Sequence, residues 1–194
     1  VCPDEQQVRA QLGEVDDTRI RFREMETNDT WARDHGGISI FEEGKPMLYD
    51  FVFNGWGMKF PANLDNLITR RLCQMHTFAE EVVPVNMQPF VLEGGSIESD
   101  GKGTLMTTVE RLASVNRNEY LDQEALEHYL WIESGYLAGD DTDSHVDTLA
   151  RFCDEQTIAY VRCTDEEDEH YAELQQMEQQ IRSFKQTDGS SYRL

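Results

Sequence analysis

Apolar residues recur at three- and four-residue steps in three stretches of the chain and alternate with polar ones in several others, and these two periods lay out its elements. Leu64, Leu67, Ile68, Leu72 and Met75 share one helical face, with Asn63 placed to cap the run. A shorter helix is predicted from Asp122 to Leu130, with Ala125, Leu126 and Tyr129 inward. Tyr171, Leu174, Met177, Ile181 and Phe184 form the stripe of a third, from about Asp168 to Lys185, with Gly189 beyond its end. The acidic run over 165–169 suits the positive end of that helix's dipole and reads as a solvated face.

Between the helices the pattern predicts three hairpins. Residues 38–41 and 47–53 flank a turn at Glu42-Glu43-Gly44-Lys45-Pro46, residues 96–99 and 104–108 flank Asp100-Gly101-Lys102-Gly103, and residues 148–153 and 157–163 flank Asp154-Glu155-Gln156. An acidic residue introduces each one: Asp34, Glu93 and Asp147. Their spacing of roughly 50–60 residues is the length of a strand–strand–helix–strand unit, and a repeat of that size suggests units around an axis, each turning a carboxylate to one centre. Three ordinary hairpins with acids near their turns would give the same spacing. The class is α/β (α+β) on either view.

Composition narrows the chemistry. The 194 residues carry 38 Asp and Glu against 17 Lys and Arg, a formal charge of −21. Such a balance disfavours nucleic acid, whose phosphates need Lys and Arg, and favours small cationic ligands. No apolar run approaches the roughly 18–20 residues of a membrane helix, so the expectation is a soluble, cytoplasmic protein with no membrane partner. The start at Val1 and the finish at Tyr192-Arg193-Leu194 read as those of an interior piece, truncated at both ends, of a longer protein. Cys2, Cys73, Cys153 and Cys163 show no metal-ligand spacing, so reduced thiols and no metal are expected.

Three polar constellations stand out. In Gly139-Asp140-Asp141-Thr142-Asp143-Ser144-His145-Val146-Asp147, a strand beginning at His145 would put His145 and Asp147 on one face, about 6–7 Å apart. The same segment fails as a calcium loop, because Val146 stands where glycine is needed and Phe152 where glutamate is. In Phe90-Val91-Leu92-Glu93-Gly94-Gly95, a carboxylate ends an apolar run where it could orient a histidine, or simply sit in a turn. In the segment 27–37, Trp31 and Asp34 precede Gly36-Gly37, an arrangement suited to a planar cation as well as to a core tryptophan. His35 reads as a loop residue without a role.

The motifs Trp31-Ala32-Arg33-Asp34-His35-Gly36, Asn54-Gly55-Trp56-Gly57-Met58-Lys59, Leu92-Glu93-Gly94-Gly95-Ser96-Ile97-Glu98-Ser99-Asp100-Gly101 and Asp141-Thr142-Asp143-Ser144-His145-Val146-Asp147 follow one another in this order. Together they resemble the motifs of the agmatine deiminase and bacterial-type peptidylarginine deiminase family, over essentially the whole chain. The resemblance implies a pentein-type α/β propeller of strand–strand–helix–strand units around a central site. Here it would be one incomplete catalytic domain over 1–194, with about three to four of five units and pseudo-repeats near 20–80, 81–130 and 131–194.

It further implies that Asp34, Asp147 and Asp141 bind a guanidinium, that His145 is the general acid/base oriented by Glu93, and that Trp31 and Trp56 wall the pocket. The activity implied is hydrolysis of agmatine to N-carbamoylputrescine and ammonia through a cysteine-bound thiouronium, on a polyamine route and without a cofactor, in a protein that could be a homodimer. Deimination of free or peptidyl arginine is the alternative. A non-catalytic acidic module for cationic ligands is a third. The family's Gly-rich His-Cys motif does not occur in these 194 residues. The nucleophile is therefore expected beyond Leu194, and the chain alone is expected to be inactive.

Overall fold

The computed structural model describes residues 1–14, 16–122, 128–139 and 145–194. Its elements are α1 (Glu5–Leu12), α2 (Ala32–His35), β1 (Ile38–Glu42), β2 (Lys45–Val52), α3 (Gly55–Met58), α4 (Ile68–Gln74), β3 (Val83–Val91), β4 (Ile97–Ser99), β5 (Leu105–Thr108), α5 (Val109–Leu112), β6 (Tyr129–Ile132), α6 (Val146–Leu149), β7 (Ala150–Asp154), β8 (Thr157–Tyr160) and α7 (Tyr171–Ser183). Tight 3-10 turns lie at Asp17–Arg19, Asp65–Leu67 and Gly94–Ser96. This mixed α/β chain divides into two compact units, Val1–Phe90 and Val91–Leu194.

Among the described residues the strands form three sheets, ordered β1-β2-β3, β4-β5-β6 and β7-β8. All three expected hairpins are present. β1 and β2 pair antiparallel from Ile38↔Tyr49 to Glu42↔Lys45, and the two residues between them, Glu43 and Gly44, both have left-handed φ, as a twisted two-residue turn requires. β4 and β5 pair from Ile97↔Thr107 to Ser99↔Leu105. β7 and β8 pair with an irregularity between Phe152 and Asp154.

In the second sheet, β6 returns parallel to β5, from Leu105↔Tyr129 to Thr108↔Ile132. After β7, β8 and α7 the chain returns again, and Arg193 forms a parallel bridge with Thr157. A short helical turn also precedes each hairpin: α2 before β1, Gly94–Ser96 before β4, and α6 before β7.

Three expectations need correction. The helix expected from Asp122 to Leu130 gives way to strand at Tyr129, and 123–127 lie outside the described residues. The reason is visible in Tyr129-Leu130-Trp131-Ile132, where side chains alternate with period two: Leu130 and Ile132 are buried, and Tyr129 stacks on Trp131 at 5.6 Å. The helix expected from Asn63 begins as a 3-10 turn at Asp65, and Asn63 does not cap it. Asn28 does so from afar, its Oδ1 accepting from the amides of Leu64 (2.7 Å) and Asp65 (3.3 Å). Finally, α7 starts at Tyr171, three residues later than expected.

α7 buries Leu174, Met177 and Ile181 against Met106, Leu130, Ile132, Val146, Leu149, Ala150, Ile158 and Tyr192, which together form the core of the second unit. Tyr171 is half-buried, and Phe184 packs on the core just past the helix end, so the expected stripe is real. The acidic residues 165–169 are exposed, as a solvated lead-in should be.

Candidate active site

In the first unit the candidate carboxylate is Asp34, within α2 and 7% exposed. Burying a carboxylate is expensive unless hydrogen-bonded partners compensate. Trp56 provides one, its Nε1–H donating to Asp34 Oδ2 at 3.1 Å. Trp56 is held in a costly backbone conformation. Gly55, Trp56, Gly57 and Met58 all have positive φ (70°, 57°, 76° and 69°), so α3 is a single left-handed turn. The amides of Met58 and Lys59 bond the carbonyls of Asn54 and Gly55 at 3.0 Å, and Asn54 Oδ1 accepts from the Gly57 amide at 3.0 Å.

Left-handed helix costs non-glycine residues roughly 1–2 kcal/mol each. Strain held by its surroundings in this way is typical of functional segments. Gly55 is required on a second count, since a Cβ there would lie 2.1 Å from the Phe60 carbonyl oxygen. The Trp56 ring packs edge-on against Phe53 (5.0 Å) and Phe60 (5.7 Å) and is buried, whereas Trp31 is 62% exposed. Trp56 thus orients the carboxylate from the interior, and Trp31 faces solvent.

The segment carrying Asp34 is anchored reciprocally. Asp65, 1% exposed, accepts from the amides of Asn28 (2.7 Å) and Asp29 (3.1 Å), while Asn28 caps the turn that contains Asp65. His35 is no loop residue. It belongs to α2, is 9% exposed and lies 5.7 Å from the Phe53 ring, and neither ring nitrogen has a partner from another residue among the described residues. Burial pushes its pKa down, against the opposing pull of Asp65, Asp34 and Asp29.

In the second unit Glu93 and His145 come together across 52 residues of sequence. His145 Nε2 lies 2.7 Å from Glu93 Oε2, and both side chains are buried, at 2% and 0% exposure. Their placement follows from two short turns. Glu93 ends the extended run just before Gly94–Ser96, where its carbonyl accepts from the Ser96 amide and hydroxyl. His145 sits at the head of α6, where its carbonyl accepts from the amide (3.2 Å) and hydroxyl (2.7 Å) of Thr148.

That turn overturns the expected strand from His145 onward. Extended pairing begins only at Ala150, so His145 and Asp147 do not share a strand face, and Asp147 is half-buried in the first turn of α6. Asp141 and Asp143 lie outside the described residues.

Sequence reasoning missed Arg117. Its Nε donates to Glu93 Oε1 at 2.8 Å, and its Nη2 lies 2.7 Å from Oε1 and 3.1 Å from Oε2. A guanidinium with two nitrogens on one carboxylate holds it as an anion and fixes its plane. Glu93 is then an acceptor only, so the hydrogen of its bond to His145 belongs to Nε2. One signal was available: a glutamate that is itself buried at the end of an apolar run needs a cation, and Arg117 is a basic residue flanked by Asn116 and Asn118. Asn118 completes the support, donating to the carbonyls of Val91 (2.9 Å) and Leu112 (2.8 Å) and accepting from the Val91 amide (3.0 Å).

Burial and the Asp50 charge push the Cys73 thiol up in pKa, away from the reactive thiolate. The Cys163 thiol donates to the Asp165 carbonyl at 3.5 Å. Among the described residues there is no group of three or more His, Cys, Asp or Glu able to hold a metal, and no helix long and apolar enough to cross a membrane.

The model of the Porphyromonas-type peptidyl-arginine deiminase family matches residues 1–194. The agmatine deiminase of Stutzerimonas stutzeri is 34% identical over 191 residues, covering 90% of this chain and 50% of the relative. A crystal structure of a Porphyromonas gingivalis protein named provisionally as an arginine deiminase superposes with a TM-score of 0.95 at 50% identity, over 100% of this chain and 60% of that one. A cysteine-to-serine variant of the C. jejuni agmatine deiminase with substrate bound superposes at 0.82 with 39% identity, over 97% and 56%. The chain thus spans about half the length of the curated relatives it matches.

Proposed function

The chain belongs to the family of Porphyromonas-type peptidyl-arginine deiminases, and from that premise we propose that its protein hydrolyses a guanidinium group, with agmatine as substrate and N-carbamoylputrescine and ammonia as products. The observation that carries this reading is the buried Arg117–Glu93–His145 cluster, a histidine fixed by a carboxylate at one ring nitrogen. A module that only trapped cations would need carboxylates and would have no use for a histidine held this way. We place Asp34, Asp147 and Asp141 on the guanidinium, with Trp31 against the substrate and Trp56 behind Asp34. The pentein propeller, with pseudo-repeats near 20–80, 81–130 and 131–194, is the frame we propose around them. The orders β1-β2-α4-β3 and β4-β5-α5-β6 support such units, with β3 and β6 closing the first two somewhat past those bounds.

A guanidinium resists nucleophiles because its charge is delocalised, so carboxylates must hold its plane in a site with little water. In the proposed sequence a cysteine thiol passes its proton to His145 Nδ1, and the resulting thiolate adds to the central carbon and forms a C–S bond. With Nε2 committed to Glu93, His145 gives the proton on Nδ1 to the departing nitrogen, the C–N bond breaks, and ammonia leaves a thiouronium. Nδ1 then takes a proton from water, whose oxygen adds to the same carbon. Cleavage of the C–S bond, with the hydroxyl proton lost to solvent as the carbonyl forms, restores the thiolate and releases the ureido product. We assign the thiolate to a cysteine outside these 194 residues and the reaction to the reducing cytoplasm, where a thiol persists.

The second reading, deimination of free or peptidyl arginine, is favoured by the 50% identity to the P. gingivalis structure. The test is ammonia release by the intact protein from agmatine, arginine and an arginine-containing peptide in parallel. Agmatine is expected to give the highest kcat/KM, a preference for either other substrate selects the second reading, and no release from any of the three overturns both. In the intact protein His145→Ala should lower kcat by about 10²-fold or more with little change in KM.

A further inference from the structure

Arg117 lies outside all four motifs that carry the family resemblance, in Asn116-Arg117-Asn118. Its side chain is only 5% exposed. Besides gripping Glu93 it donates from Nη1 to Ser114 Oγ at 3.2 Å, while Asn118 ties the same loop to the backbone of Val91, two residues before Glu93. The loop and the strand end bearing Glu93 are therefore bound as one piece. Oε1 is taken by Nε and Nη2 together, and Oε2 lies between Nη2 and the His145 ring. A carboxylate held at both oxygens cannot rotate to offer the histidine a different lone pair.

We propose that Arg117 is a positioning residue for the reaction: it holds Glu93 charged and in one plane, so that His145 keeps its proton on Nε2 and works through Nδ1. This rests on the deiminase reading for its effect on turnover, and on geometry alone for its effect on the ring. Lysine could preserve the charge but has no fork with which to hold both oxygens.

The test uses the intact protein with Arg117→Met and Arg117→Lys, each made in the parent and in the Glu93→Gln background. In the parent, Arg117→Met is expected to lower kcat about 10²-fold with KM within about threefold, and Arg117→Lys to recover about tenfold of that loss. In the Glu93→Gln background the further loss should stay within about twofold, because a residue acting through Glu93 has nothing left to act on. Equal losses in both backgrounds, or no loss in the parent, would overturn the assignment.

A second readout is independent of turnover. Nitrogen-15 spectra of the histidine rings, with the His145 signals identified by their disappearance in His145→Gln, should show Nε2 protonated in the parent and a mixture of tautomers in Arg117→Met. An unchanged ring contradicts the proposal. A changed ring in a protein that deiminates no substrate sinks the deiminase reading and leaves the positioning intact. Should Arg117→Met not fold, Arg117→Lys carries both measurements: a tenfold fall in kcat with a second tautomer supports the proposal, and parental values overturn it.

Discussion

His35 shows how a single ring couples stability to pH. In the unfolded chain it takes up a proton near its ordinary value of about 6.5, but in the folded unit burial keeps it neutral to lower pH. Between those two values the unfolded state binds the extra proton, so the contribution is complete above about 6.5 and is lost as pH falls toward the folded value. Urea midpoints taken at pH 7.5 and 5.5 should therefore fall on the acid side. His35→Phe, which keeps a ring against Phe53, should flatten that slope. The same residue marks a limit of the sequence. A histidine before two glycines reads as a loop, and only the α2 turn that buries Asp34 carries His35 inward with it. Glu93 and His145 were legible as residue types in motifs, and their pairing as what the resemblance implied, but the pairing of His145 with Asp147 was argued from a strand that is in fact a turn, and Arg117 had no periodicity to announce it.

At the scale of elements, the pair Asn28 and Asp65 does the work the sequence assigned to Asn63. Each satisfies two backbone amides of the other's segment, so the chain carrying Trp31 and Asp34 is fastened to the turn leading into α4. Asp65→Ala leaves two amides without their acceptor and should cost about 2–4 kcal/mol by urea unfolding. Asn28→Ala should cost about 1 kcal/mol. Because the anchored segment bears Asp34, both should also raise KM for agmatine in the intact protein. Hairpins were legible because Glu43-Gly44 and Gly101 punctuate alternating runs. β6 was not, since a tyrosine that serves a helical stripe equally begins an aromatic strand, and only pairing with β5 decides between them. α2, α3 and α6 are four-residue turns, too short for a 3.6-residue period to be read.

At the scale of the molecule, most of the charge of −21 lies on turns and helix faces, and only a few acids, Asp34 and Glu93 among them, are buried. Long-range attraction for a cationic substrate should still assist encounter and be screened by salt. Raising ionic strength from about 0.05 M to about 0.5 M should raise KM for agmatine severalfold and leave kcat within about twofold. A buried arginine–glutamate pair is not screened in this way, so the cluster proposed for proton transfer should be insensitive to the same change. The class, the hairpins and the acids that precede them could be read from the chain. Which acids lie buried could not, because burial is decided by partners far away in sequence, such as Arg117 for Glu93 and Trp56 for Asp34.

The separations within the Glu93 cluster have a kinetic side. Arg117 lies 24 residues from Glu93 and His145 lies 52, so the glutamate cannot be buried with its partners until loops of both lengths have closed. Contacts that close such loops form late and slow the search for the native state. During synthesis Glu93 emerges well before His145, and the carboxylate must wait for the ring that pairs with it. The cluster proposed to run the chemistry therefore consists of contacts that no local stretch of chain can make by itself.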